Sequence, residues 1–263
     1  MIADTILAID KKNTDARALA SQIRDNISKN RVGLKYDYIH FDKQFPNGWQ
    51  LLSLDYTRQT KAGPLTARIN YANRFKTNGL QYELEAYPRF SKTFYSYVNV
   101  GYSDNVGVFP RWRAGASLYA NLPKAFETEV GVRYLYFNSD AFIYTAYLGK
   151  YYSSFLFGAR VYLSPVANNM TQSYMVMARY YYGGIDNYIG IMAGAGLSPD
   201  DRRVNVLLNN SGNLRSYNCE LTVRHAIRRL NIILFNGSLL NSEYLPGTTG
   251  NQYQVGVGYI RRF

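Results

Sequence analysis

Asn251-Gln-Tyr-Gln-Val-Gly-Val-Gly-Tyr-Ile-Arg-Arg-Phe263 ends the sequence, and the reading of this stretch decides the fold. Strand side chains alternate with a period of two. Tyr253, Val255, Val257 and Tyr259 therefore share one face, and Gln252, Gln254, Gly256 and Gly258 share the other. The last residue is Phe263. An alternating strand that ends on an aromatic residue fits two folds. One is the last strand of a bacterial outer-membrane barrel, read by the insertion machinery. The other is the C-terminal strand of a soluble sandwich.

Composition favours the barrel. Aromatic residues make up 16% of the 263 positions, with 26 Tyr against 13 Phe. A tyrosine ring is apolar and its tip polar, which suits a boundary between hydrocarbon and water. A soluble core of this size draws more on Leu, Ile and Phe. Mean hydropathy is slightly negative and no run of eighteen apolar residues occurs, which excludes a membrane helix but not a membrane barrel. The single cysteine, Cys219, excludes an intrachain disulfide and a cysteine metal cluster. The net charge of +12 is spread along the chain without a basic cluster, so nucleic acid is not the expected partner. No secretory leader is visible at Met1, and a mature or trimmed chain is the expectation.

Residues 1–29 carry helical spacing, with Asn13 or Thr14 as an N-cap and Ala18, Leu19 and Ile23 on one face. From Arg31 onward the period is two. Strands are expected near 31–41, 48–59, 64–74, 79–88, 93–103, 110–121, 126–137, 141–150, 154–164, 171–182, 187–197, 214–226, 229–240 and 250–262. These lengths suit a tilted strand crossing a bilayer better than a sandwich strand of about five or six residues. The expected fold is all-β: a closed antiparallel transmembrane β-barrel of about fourteen strands (twelve being the alternative count), spanning 30–263 and preceded by the helical segment 1–29.

Connections support the same fold. Short joints follow the even strands, such as Lys61-Ala-Gly-Pro64 and Arg228-Arg229. Longer ones follow odd strands, at 103–110, 164–169, 199–213 and 241–250. An even strand count and this asymmetry put both termini on the short-turn, periplasmic side. Trp49 and Trp112 map to the long-loop end, where an aromatic girdle is expected. The outward sets are apolar, such as Val98, Val100 and Tyr102, or Tyr174, Val176 and Tyr180.

The opposite faces are polar or small. Lys35, Arg68, Arg74, Arg113, Arg133, Arg160, Arg179 and Arg224 are the inward basic candidates. Asp37, Asp55, Glu83, Glu85, Glu127, Glu129 and Glu220 are the inward acidic ones. Eight against seven makes the wall nearly neutral, and cross-strand ion pairs filling the barrel compete with an open polar conduit. Strand count does not decide between them, since fourteen lies between the filled and the channel-forming sizes. Tyr95 and Tyr97 are expected as further lumen contacts.

Three segments resemble YaiO-like outer-membrane β-barrel proteins: Ile9-Asp-Lys-Lys-Asn-Thr-Asp-Ala-Arg-Ala-Leu19, Gly194-Ala-Gly-Leu-Ser-Pro-Asp-Asp-Arg202 and Glu243 through Tyr259. Arg261 departs from the apolar residue usual two before the terminal Phe. The resemblance implies a barrel preceded by tetratricopeptide-type periplasmic helices, a layout shared with exopolysaccharide exporters. The first segment then reads as the tail of such a repeat.

Catalysis is weakly supported. His40 and His225 are the only imidazoles and fall at opposite ends of their strands, so they cannot share a site. A lipid-modifying site around His40 would need a nearby Ser and carboxylate. Asp200-Asp201 reads as a solvated loop or a cation site. No phosphate loop or metal-ligand motif occurs, so no cofactor is expected. Two functions remain: a conduit for a polysaccharide or other polar solute, and a non-conducting barrel that docks a periplasmic or outer-membrane partner. Membrane lipid and the insertion machinery are the other expected contacts.

Overall fold

The computed structural model describes residues 28–104, 106–166, 169–201, 215–227 and 230–263, with Asp10, Ala16 and Leu19. Apart from those three positions and the approach to the first strand, the expected helical segment 1–29 lies outside the described residues. Fourteen strands run in chain order. They are β1 (Asn30–Phe41), β2 (Trp49–Thr60), β3 (Gly63–Arg74), β4 (Thr77–Ala86), β5 (Phe94–Ser103), β6 (Trp112–Leu122) and β7 (Phe126–Tyr136). The second half comprises β8 (Asp140–Tyr152), β9 (Phe155–Val166), β10 (Asn169–Tyr181), β11 (Tyr188–Ala195), β12 (Ser216–Ile227), β13 (Asn231–Leu245) and β14 (Thr248–Arg262).

Each strand pairs antiparallel with its chain neighbour, and β1 pairs β14 from Arg31↔Arg262 to Phe41↔Gln252, closing the barrel. Closure satisfies every edge amide and carbonyl inside the sheet, which lipid requires because it offers no hydrogen bonds of its own. The alternation read from the sequence sets the two faces. Leu34, Leu84, Val100, Val130, Tyr174, Val255 and Val257 project outward and are exposed. Asp37, Asn70, Glu83, Glu129, Arg133 and Gln254 project inward and are buried.

The connections differ from expectation in a consistent way. The expected loops at 164–169 and 241–250 are mostly strand, because the β9–β10 and β13–β14 hairpins continue upward as paired ribbons. In β13–β14 the turn is Pro246-Gly247, with Gly247 at φ +75, a conformation glycine adopts without a Cβ clash. On the terminus-side rim, 87–93 and 182–187 are longer than the short joints expected there. Connections of seven or more residues on the other rim are 42–48, 104–111 and 196–215, of which 105 and 202–214 lie outside the described residues.

The two tryptophans part company. Trp112 faces outward at 51% exposure beside Tyr102, as a girdle residue does. Trp49 faces the lumen and is buried, with its ring against Phe41, Phe45 and Phe75 and the Arg74 guanidinium 5.3 Å away. Its strand parity dictates this, since Trp49 shares the inward face of β2 with Leu51, Ser53 and Asp55.

Candidate functional site

The lumen divides into two halves along the barrel axis. In the half away from the termini, Ile39, Phe41, Trp49, Leu135, Phe137, Ile143, Tyr162, Met175, Leu197 and Leu240 form one contiguous buried cluster. It reaches from β1 and β2 to β7 and β8, on opposite sides of the ring. The expectation of a polar wall throughout is therefore corrected: the far half has an apolar core. Ile39, Phe41, Trp49 and Leu135 stand at strand ends, where aromatic and aliphatic side chains read equally well as girdle or as core.

The middle of the lumen holds the charges. Arg68 lies 3.5 Å from Glu83 and 3.4 Å from Glu85, and Arg113 lies 3.4 Å from the other oxygen of Glu83. The Asn70 side-chain amide donates to Glu83 at 2.9 Å. Glu129 receives Arg133 at 3.0 Å, Arg160 at 2.6 Å and the Ser117 hydroxyl at 2.6 Å. Lys35 meets Asp37 at 3.0 Å, and Asp37 also accepts from the Gln254 side chain of the closing strand. Desolvated charges cost several kcal/mol each unless paired. Here the pairs are made within a strand, between adjacent strands, or across one intervening strand, as for Arg113 with Glu83 and Arg160 with Glu129.

Every lumen candidate named from the sequence lies on an inward strand position. Asp55 is 3.8 Å from Arg31. Tyr95 donates to Glu127 at 3.2 Å. Arg133 stacks over Tyr97, and Arg179 over Tyr188. Glu220 accepts from Thr222 at 3.0 Å. Arg224 sits low on β12, where it and Arg262 clasp Asp186 of the 182–187 connection at 2.7 and 3.0 Å. Arg74 leaves the charge belt and packs between Trp49 and Phe109 at the far end.

What periodicity could not supply is the loop contribution. The segment after β11 turns back into the barrel. Its Asp200 accepts from Arg133 Nε at 2.7 Å and from the Tyr162 hydroxyl at 3.1 Å, with Arg160 3.9 Å away. Burial works against the charged form of Asp200. The guanidiniums of Arg133, Arg113 and Arg160 outweigh it and hold the carboxyl below its ordinary range. The same segment adds Leu197 to the apolar cluster. Asp200 is thus a lumen residue rather than a solvated loop position. The only sequence signal was a carboxylate pair in a long connection, which has no period to betray its direction.

Three cavities follow one another along this wall. A vestibule of about 580 Å³ at the terminus-side rim is lined by Pro64, Tyr87, Arg89, Ser91, Lys92, Tyr95, Asn121 and Glu127. An inner chamber of about 310 Å³ shares Tyr87 with it and adds Tyr97, Tyr119, Arg113 and Arg133. A central cavity of about 460 Å³ shares Arg160, Tyr162 and Asp200 with the chamber and ends against Leu51, Leu197 and Leu240. The Asp200 contact is therefore the partition between chamber and central cavity. Both histidines face outward, His40 against Tyr253 and His225 against Tyr182, so neither reaches the lumen.

Comparison with known proteins agrees with this architecture. By sequence, no curated protein matches the chain. Among solved structures, the outer membrane protein Omp33 of Acinetobacter baumannii superimposes with a TM-score of 0.53 at 10% identity, covering 90% of this chain and 98% of that one. A bacterial polysaccharide outer membrane secretin gives a TM-score of 0.54 at 10% identity, covering 90% and 99%. At such identity these likenesses speak for the fold alone. The family profile described as the YaiO membrane beta barrel domain matches residues 29–201, from the approach to β1 through the inward-folded Asp200-Asp201. A bacterial outer-membrane barrel with a charged, loop-partitioned lumen, this chain belongs to the YaiO membrane beta barrel domain family.

Proposed function

We propose that the barrel is a polar conduit of the outer membrane, held shut in this conformation by the segment Leu197–Asp201 and the apolar cluster it completes. The observation that carries this reading is the series of three cavities, separated at Tyr87 and at the Arg160–Tyr162–Asp200 contact. A fully packed barrel has no need of connected polar chambers, and a loop latched by one carboxylate is a removable obstruction. Saccharides suit the lining, since tyrosine rings receive sugar C–H faces while guanidiniums and carboxylates hold hydroxyls. The polysaccharide secretin that shares the fold is compatible with such a cargo. Both termini are read as periplasmic, with the β14 face of Tyr253, Val255, Val257 and Tyr259 against lipid and Phe263 read by the insertion machinery. The tetratricopeptide-like reading of the first 29 residues fits that side. No catalytic step is assigned, since the lumen lacks an imidazole.

Purified barrel in planar bilayers should give stepwise ionic currents that rise in frequency with voltage. Silence under every voltage and salt condition would favour the second reading, a non-conducting barrel that docks a partner. The apolar cluster spanning the far half is the observation on that side.

A further inference from the structure

The 87–93 connection does not hang from the rim. The Tyr87 amide donates to the Pro64 carbonyl at 3.1 Å, the Arg89 amide to Ala62 at 2.8 Å, the Ser96 amide to Pro88 at 2.9 Å and the Asn121 amide to Thr93 at 2.8 Å. Gly63, at φ +134, lies so close beneath that a Cβ there would collide with the Tyr87 carbonyl oxygen. The connection is thereby fixed onto the β2–β3 turn and the end of β6. It holds Arg89 and Lys92 at the vestibule wall, both exposed, and neither meets a carboxylate among the described residues. The one acid in the vestibule, Glu127, already accepts the Tyr95 hydroxyl. In the next chamber the guanidiniums of Arg113, Arg133 and Arg160 are already matched by Glu83, Glu129 and Asp200. The central cavity is acidic, with Lys35, Arg68 and Arg160 against five carboxylates.

We infer that the terminus-side vestibule is a binding site for an acidic saccharide, whose carboxylates pair with Arg89 and Lys92 while its ring lies against Tyr87 and Tyr95. Two cations carried on a fixed backbone beside aromatic rings, in a cavity of about 580 Å³, match the size and chemistry of a short acidic glycan. A neutral sugar would leave both cations without a counter-charge. The excess positive charge is confined to the vestibule, since the next chamber is charge-matched and the central cavity carries five carboxylates against three basic residues, so an acidic ligand docks at the vestibule. This site rests on the conduit reading, and it is measured with the barrel closed.

Isothermal titration of the full chain in detergent micelles tests it, with trigalacturonic acid, maltotriose and inorganic phosphate as probes. Trigalacturonic acid should bind at least about tenfold more tightly than maltotriose, and about tenfold more tightly to wild type than to Arg89→Gln/Lys92→Gln, the order expected for losing one or two charge-assisted hydrogen bonds. The variant Lys43→Gln/Arg111→Gln, which removes the same charge on the opposite rim, should bind as wild type does. Absence of trigalacturonate binding, equal affinity for maltotriose, phosphate binding as tight as the acid sugar, or an unaffected Arg89→Gln/Lys92→Gln variant would each overturn the site. Any of these leaves bilayer conductance unaffected, so failure of the conduit reading is recorded separately.

Discussion

Asp200→Asn weakens the partition without changing its shape. The carboxylate accepts one short charge-assisted hydrogen bond from Arg133 at 2.7 Å, one hydroxyl bond from Tyr162 at 3.1 Å and a longer ion contact with Arg160 at 3.9 Å. A hydrogen bond to a charged group contributes about 1.5–3 kcal/mol. The Asp200 side chain is 31% exposed to cavity water, so screening reduces that figure, and the amide still accepts one bond. A net loss of about 1–2 kcal/mol remains, and at about 1.4 kcal/mol per decade the ratio of open to closed segments rises roughly tenfold. Arg133 and Arg160 keep Glu129 as a partner, so the wall itself stands. Single-channel recording at fixed voltage reads the ratio as open probability. An open probability equal to wild type, in a variant with an unaltered melting midpoint, would refute the latch.

The pH dependence follows from the same group. Its folded-state pKa is depressed, so the latch is at full strength above the unfolded value near 4 and weakens as pH falls through the lower folded one. Open probability should stay flat from pH 8 to about 4 and rise only below that. Glu129→Gln leaves two guanidiniums buried with one fewer counter-charge, which costs about 3–5 kcal/mol and should lower the temperature at which the barrel loses its folded mobility on gels. Trp49→Ala empties a packed site in the far half and should cost about 3–5 kcal/mol, whereas Trp112→Ala, on the lipid face, should leave the melting midpoint within a few degrees. Gly256→Val drives a side chain into the buried Asp37 carboxylate and Asn236 amide, and should impair refolding into lipid vesicles at the closing seam.

The architecture was legible because a closed sheet writes itself into sequence with a strict period. Asn251–Phe263 showed a lipid face and a lumen face, and the pairing of β14 with the strand at Arg31 followed from closure. Loop paths were not legible. Asp200 reads as any surface carboxylate until the chain turns inward, and nothing local marks that turn. The far-half core was missed for a different reason. Phe41, Trp49 and Leu135 occupy strand ends, where period two gives the face but girdle and core demand the same residue types. The 241–250 stretch misled through its polar, glycine-rich composition. Its Pro246-Gly247 turn was readable, but the height of the ribbon beneath it was set by β13–β14 pairing.

The central claim is a path entered from the terminus-side rim, gated at the Asp200 partition and blocked beyond the central cavity by the apolar cluster. Labelling one engineered thiol tests it directly: Ser53→Cys, on the central cavity wall, in a Cys219→Ser background. With the barrel oriented in vesicles, a membrane-impermeant maleimide should modify the thiol slowly from the terminus-side rim, at a rate limited by opening of the Asp200 latch, and fail to reach it from the opposite rim. Adding Asp200→Asn should speed the first reaction severalfold. Labelling from the opposite rim alone, or from neither side, would contradict the account.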